Sequence, residues 1–292
     1  MKISKIKINE LSFFIPINFY EKYKIHLLFT TRNGGFSEGN FKSLNLSYQT
    51  GDEFNLVKKN RLKILSLFNK EGNKDLFSLN QIHSNNVVII NNDFLNNFLS
   101  FNNNLPNYNS YEDFYINPNL NEILKADAAI TEIPFIPLTV MGADCNLILI
   151  ADIKKRVIAA VHAGWKGVLN QIIIKTIKIL QNDFNSNLKD VFIFIGPSIR
   201  KCCFKVKQDI FDLFYFKFKK NLIFKKTIDD EEKINYYFID LVNLITKDLL
   251  DLGIPKNNIS DLKLCTYCNE DLFFSYRRKK ETGRQAGIIM IE

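Results

Sequence analysis

Short apolar runs recur along the chain, and their period separates strands from helices. Ile25 to Thr31, Val87 to Asn91, Ala128 to Thr131, Leu138 to Ala151, Arg156 to His162, Val191 to Ile195 and Ala286 to Ile291 are stretches rich in Ile, Val and Phe that read as strands. Leu138 to Ala151 is interrupted near Gly142 and reads as two strands. Elsewhere the period changes to that of a helix. Leu169, Ile172, Ile173, Thr176, Ile177 and Leu180 recur at i, i+3, i+4 and predict a helix over Lys166 to Asn182. A second helix spans Phe238 to Leu252, with Leu241, Ile245 and Leu249 on one stripe, Gly253 closing it and Pro255 beyond. A third covers Asn55 to Phe68. The elements mix without a regular βαβ beat, so an α+β fold with mixed sheets is expected rather than a doubly wound parallel sheet.

Composition adds boundaries to this picture. With 46% hydrophobic and 24% charged residues, the 292-residue chain can bury a sizeable core, and we read it as one domain over 1–292. The stretch 91–122 is rich in Asn, lacks apolar periodicity and reads as a surface insertion. A net charge of +8 comes from lysines scattered along the chain, with no dense basic block. That pattern argues against nucleic acid as a partner and for solubility with some attraction to small anions. No apolar run is long enough to span a bilayer, so no membrane partner is expected. Lys2, Lys5 and Lys7 precede Leu11 to Ile17 in imitation of a signal peptide, but a full apolar region and a small-residue cleavage site are missing. Five cysteines, an odd number, suit a reducing compartment better than a disulfide framework, and a cytoplasmic location is expected.

Only three histidines exist, so their placement is informative. His83 stands in Gln81-Ile82-His83-Ser84, and His162 ends the strand that starts at Arg156, where Ala163 and Gly164 turn the chain into a helix. Cys145 follows Asp144 at the break near Gly142, and a short turn at Asp152 to Lys155 would bring Cys145 close to His162. One Cys and two His suit Zn²⁺ and leave a fourth tetrahedral position open. The same residues also fit a metal-free Cys145–His162 dyad, or a buried inert Cys with two unrelated histidines, and sequence order does not separate these. Arg32, in a Gly-rich turn, could grip phosphate with the N–H groups of Gly34 and Gly35, or be a surface arginine of a hairpin. Asp144 could orient a ligand, hold a protonated intermediate or support a metal-bound histidine. Arg278 and Arg284 could line an anion site or lie at the surface. Trp165 is read as core rather than as a platform for a base. Cys265 and Cys268 form a C-x-x-C with no matching second pair, which supports neither a zinc ribbon nor a redox motif.

Together the blocks Thr30 to Ser37, Ser43 to Leu46, Gln81 to His83, Ala126 to Ala128, Ala143 to Cys145, Val161 to Gly167, Gly196 to Ile199, Phe273 to Arg278 and Thr282 to Arg284 follow the order seen in one family. The chain resembles the YfiH/LACC1 family, once called multicopper polyphenol oxidases or laccase-like proteins and now regarded as zinc-dependent purine nucleoside phosphorylases. The resemblance implies two mixed β-sheets packed between helical layers, related to a Cys–His hydrolase-like toxin domain. It implies a single zinc held by His83, Cys145 and His162. It also implies phosphorolysis of adenosine, inosine, guanosine and methylthioadenosine, with deamination of adenosine. Arg32, Asn45, Asp144 and Arg278, within these blocks, become the expected contacts for nucleoside and phosphate. The family commonly has Asp-Cys-Pro where this chain has Asp144-Cys145-Asn146, which alters a strand start and no ligand. Multicopper sites need further histidines, typically in His-x-His pairs, and none of the three here is so paired. The alternatives are a Cys–His amidohydrolase, including a peptidoglycan-precursor editing role, and a non-catalytic binding protein.

Overall fold

A strand whose residues are nearly all apolar needs cover on both faces, and here two sheets and two helical layers supply it. The computed structural model describes residues 1–68, 75–96, 125–229 and 234–292. One sheet has the order β1 (Ile3–Ile8), β2 (Leu11–Pro16), β3 (Ile25–Thr30), β15 (Gln285–Ile291), β7 (Leu138–Gly142) and β4 (Phe77–Ser78). The other has the order β14 (Ile259–Asp261), β10 (Val191–Ile195), β8 (Asn146–Asp152), β9 (Val157–Ala163), β6 (Ala128–Thr131) and β5 (Val87–Ile90). Both are mixed: β4 runs parallel to β7, β5 to β6 and β14 to β10, and the remaining pairs are antiparallel. A small third sheet joins β11 (Lys205–Val206), β13 (Asn235–Ile239) and β12 (Phe224–Ile228).

Period-2 alternation divides each strand between two cores. Leu147, Leu149, Ala151 of β8 and Ile158, Ala160 of β9 meet Phe29, Val140 and Ile289 of the facing sheet. Their neighbours Ile148, Ile150, Ala159 and Val161 turn outward onto the helices α3 (Trp165–Leu169), α4 (Ile172–Asp183), α5 (Gln208–Phe218) and α6 (Leu241–Leu252). On the opposite side, Leu28, Met141, Ile288 and Met290 pack on Ile64 and Leu65 of α2 (Phe54–Leu65), while α1 (Phe19–Tyr23) lies beside β3. Two mixed sheets between helical layers are the architecture the sequence led us to expect.

Two helices differ from expectation. The helix expected over Lys166 to Asn182 is two helices, because Gln171 takes a left-handed conformation (φ 56°) between α3 and α4. The helix expected from Phe238 begins at Leu241; Phe238 belongs to β13, and the Asp240 side chain caps the helix by accepting from the N–H of Asn243 (3.0 Å). The lysine-flanked segment at the start of the chain is the β1–β2 hairpin, with Leu11, Phe13 and Phe14 in the core. The surface insertion expected at 91–122 lies outside the described residues from 97 onward. The C-x-x-C also acquires the second pair that its sequence surroundings lack: Cys202 and Cys203, after β10, gather with Cys265 and Cys268, after β14.

Candidate active site

Register brings the chemical groups together. In the antiparallel β8–β9 pair Leu147 lies opposite His162 and Asn146 opposite Ala163, so the turn at Asp152 sets Cys145 beside Gly164. Gly164 is required there: a Cβ at this position would sit 2.8 Å from the His83 ring and 3.1 Å from Cys145 Sγ. On the other side of β9, Ala128 of β6 lies opposite Val161, which sets Asp127 next to His162. The backbone N–H of His162 donates to Asp127 O (2.7 Å), and His162 Nδ1 bonds Asp127 Oδ1 (2.8 Å).

His83 arrives from the loop after β4. Its backbone is left-handed (φ 60°), and its N–H donates to Asp127 Oδ1 (3.0 Å), while the N–H and hydroxyl of Ser84 both donate to Oδ2 (2.6 and 2.7 Å). One buried carboxylate therefore positions both histidines. Gln81 fixes the same loop to β7, donating from its amide to Met141 O (2.7 Å) and accepting from Met141 N–H (2.8 Å). The outcome is a triangle of donors: the ligand atoms of His83, Cys145 and His162 lie within 4.8 Å of one another, and Cys145 Sγ is 3.8 Å from His83 Nε2. The two imidazoles stand edge to face with centroids 4.9 Å apart.

The electrostatics suit a cation or a charge pair. Burial opposes ionisation of Cys145, but the charge and hydrogen bonds of His162 and His83 prevail and bring the thiol down to about 6. Burial likewise opposes the charged form of His162, yet the Cys145 sulfur and Asp127 raise it to about 9. Burial also acts against the Asp127 carboxylate, and the bonds from His162 and Ser84 overcome it, keeping Asp127 below its usual range.

The donor set fits a metal ion. Asp127 occupies Nδ1 of His162, which fixes the proton there and leaves Nε2 for coordination, the arrangement in which a carboxylate orients a ligating histidine. A soft sulfur and two imidazole nitrogens would supply three of the four donors of a tetrahedral ion. They open onto a cavity of about 570 Å³ lined also by Ser47, Gln49, Trp165, Tyr276, Arg277 and Arg284, within the range of sites that hold small molecules. The third histidine, His26, stacks on Tyr20 and lies outside this cavity, so the described residues contain no second cluster of histidines.

Other residues singled out in the sequence fall into different places. Arg32 is not part of the cavity wall: its Nε and Nη2 donate to Lys42 O (2.9 and 2.7 Å), its Nη1 to Glu270 O (3.3 Å), and its guanidinium lies 4.8 Å from the Phe274 ring centroid. The adjoining Gly34 is left-handed (φ 91°) against Glu10, and Gly35 N–H donates to Ser43 Oγ (3.1 Å), so this turn closes on the protein. Arg278 is also occupied, donating to Phe273 O (3.2 Å) and Thr266 O (2.6 Å). Asn45 is fully buried and touches the cavity only through others: its Oδ1 accepts from the N–H groups of Ser47 (3.2 Å) and Arg284 (2.9 Å), two cavity residues. Asp144 lines the cavity with φ 106° and accepts from Thr266 Oγ1 (2.6 Å) and Arg277 N–H (2.7 Å), anchoring the β7–β8 turn. Burial raises its carboxyl above the usual range despite those bonds. The carboxylate that supports a histidine is Asp127, not Asp144. Trp165, expected in the core, packs against the helical core and forms part of the cavity wall as well.

Two arginines of the cavity wall have donors to spare among the described residues: Arg277, exposed and held only at Nη1 by Cys203 O (3.3 Å) and Lys205 O (2.8 Å), and the more buried Arg284. Arg284 Nη1 is held by Thr282 O (2.6 Å) and Gly283 O (3.1 Å), while Nε and Nη2 have no protein partner among the described residues. Burial lowers its pKa, with Cys145 and Asp144 pulling the other way.

Comparison with known proteins places this chain in a family. The family described as multi-copper polyphenol oxidoreductase laccase matches residues 26–292, and the chain belongs to it, within the group of YfiH and LACC1 relatives. A relative from Bacteroides thetaiotaomicron, named purine nucleoside phosphorylase, is 30% identical over 264 residues that cover 90% of each chain. A Haemophilus influenzae protein of the same name is 30% identical over 269 residues, 92% of this chain and 95% of its own. The crystal structure of YfiH from Bacillus licheniformis shares the fold, with a TM-score of 0.78 at 24% identity over 99% of both chains.

Proposed function

We propose that this chain is a zinc-dependent purine nucleoside phosphorylase acting on adenosine, inosine, guanosine and methylthioadenosine, with adenosine deamination as a second activity. The observation that carries the reading is the His83/Cys145/His162 donor triangle opening onto a cavity that also holds Arg284. The names of the relatives above support the reaction class. In phosphorolysis a phosphate oxygen bonds to the ribose anomeric carbon as its bond to the purine nitrogen breaks; the base leaves with a proton and ribose 1-phosphate remains. His83, Cys145 and His162 would hold the zinc, which when bound would supply Lewis acidity and an open coordination position. The chain's own residues do the rest: Asp127 keeps the two imidazoles oriented, Trp165 and Tyr276 give the cavity flat apolar surface for a base, and Arg284 meets the anion. The five free thiols support a reducing, cytoplasmic setting.

The test is a nucleoside panel with and without phosphate, read by chromatography. Adenine is expected only when phosphate is present, and inosine from adenosine in either case. Release of neither product overturns the reading. The lowered Cys145 thiol favours one competitor, a Cys145–His162 amidohydrolase, which would be recognised by hydrolysis of an amide substrate that persists after the metal is stripped.

Phosphate use is assigned to Arg284 instead of Arg32. Arg284→Ala is expected to raise the KM for phosphate roughly 10- to 150-fold, the equivalent of about 1.5–3 kcal/mol for a charge-assisted bond, and to spare deamination. Arg284→Lys should recover part of the loss, since an ammonium lacks the planar fork. Unchanged phosphate kinetics in Arg284→Ala would move the anion to Arg277.

A further inference from the structure

Away from the cavity triangle, two loops distant in sequence bring four thiols together. Cys202 and Cys203 lie in the turn that follows β10, and Cys265 and Cys268 lie in the turn that follows β14. The loops are held side by side by an isolated parallel bridge between Ser198 and Cys265. Arg200 adds a clamp, pairing with Asp261 through both terminal nitrogens (3.0 and 2.8 Å) and donating to Leu264 O (3.3 Å). The second pair is folded as a tight turn, with Asn269 N–H and its side-chain amide both donating to Cys265 O (3.1 and 2.8 Å). The consequence is that all four Sγ atoms lie within 4.8 Å of one another, with Cys202 to Cys268 at 3.7 Å and Cys203 to Cys268 at 3.3 Å.

These spacings bracket a known figure, and the 3.7 Å one lies close to it. Four sulfurs at about 2.3 Å from a zinc ion form a tetrahedron whose edges are about 3.8 Å. We propose that Cys202, Cys203, Cys265 and Cys268 form a second metal site that binds one zinc ion and joins the β10 and β14 loops. Four protein sulfurs fill a tetrahedral shell and leave no position for substrate, so this site is structural. Soft thiolates select zinc over the hard cations, and Cys202 and Cys268 are exposed, which provides a path for the ion to enter. The tie has a bearing on the cavity. Thr266, inside the C-x-x-C, donates to Asp144 (2.6 Å), and Cys203 O accepts from Arg277 (3.3 Å), so two cavity residues are braced by the loops the ion would join.

The experiment is elemental analysis of protein purified under reducing conditions, paired with cobalt substitution. The Cys145→Ser protein, in which the cavity triangle is broken, should retain about one zinc per chain. After exchange it should show the intense visible bands of a cobalt tetrathiolate. Cys265→Ser should lose one zinc relative to wild type and lose those bands. A Cys145→Ser protein that is free of zinc and gives no tetrathiolate spectrum overturns the proposal, as does iron in place of zinc. A mass two hydrogens short with two thiols lost to titration also overturns it, because the pair would then be a disulfide. Should Cys265→Ser fail to fold, the spectrum of Cys145→Ser, with its four cysteines intact, decides alone.

Discussion

Cys145→Ala is expected to abolish phosphorolysis and to lower the zinc content by about one ion per chain, because it removes the only sulfur of the cavity triangle and leaves two imidazoles that cannot hold a tetrahedral ion alone. The measurement is a difference between variant and wild type, so it is independent of any zinc held by the other four cysteines. Asp127→Asn gives the finer test. Its carboxylate serves His162 Nδ1, His83 N–H and both donors of Ser84 at once. An amide of the same shape must turn an N–H₂ group toward one of these donors, and it removes the negative charge that strengthens His162 as a ligand. Metal affinity or activity should fall roughly 10- to 100-fold, the usual cost of losing such a partner. Full zinc content and full activity in both variants would show that the triangle is packing. Loss of that one zinc in Cys145→Ala with retained turnover would assign the chemistry elsewhere in the cavity.

The difference between Cys145 and Asp127 shows what could be read from the chain alone. Cys145 and His162 were legible because the turn between them is short, so two apolar runs joined at Asp152 to Lys155 dictate their own pairing. His83 was legible because histidine is scarce in this chain. Asp127 was not, although it stands in a quoted block, because its role depends on β6 pairing with β9, and strand order in a mixed sheet is not a local property. The arginines failed for another reason. Arg32, Arg278 and Arg284 look alike in sequence, and what separates them is that only Arg284 reaches the cavity wall and that carbonyls hold just one of its nitrogens, which long-range packing decides. The cysteine pairs lie 66 positions apart between Cys202 and Cys268, too far for spacing to suggest one site. At the Phe238 boundary, the apolar end of a strand abuts an apolar helix, so the periodicity ran on past the Asp240 cap.

Arg61, within the helix expected over Asn55 to Phe68, was silent in sequence, and it carries the second large expected effect. It is fully buried, and its Nε bonds Asp75 Oδ1 at 2.6 Å. Nη1 donates to Leu46 O (2.9 Å), Nη2 to Leu76 O and Ser78 Oγ, and the guanidinium lies 4.9 Å from the Tyr48 ring centroid. One side chain thus fastens α2 to two segments that supply the cavity: the Leu46–Ser47 strand of loop and β4, from which Gln81 and His83 follow. Arg61→Met should destabilise the protein by about 3–5 kcal/mol, because it leaves the Asp75 carboxylate buried without its cation, with only the Leu76 N–H and Tyr48 hydroxyl among the described residues still donating to it, and takes a donor from the carbonyls of Leu46 and Leu76. Arg61→Lys should recover little, since an ammonium cannot reach four acceptors at the geometry of a planar fork. The double variant Arg61→Met/Asp75→Leu separates the causes. Removing both charges should recover a large part of the loss if the penalty is the stranded carboxylate, whereas a double variant as unstable as Arg61→Met would show that the bonds to Leu46 and Leu76 dominate. Urea midpoints measure both, and a midpoint for Arg61→Met equal to wild type would remove Arg61 from the account of how α2 is joined to the site.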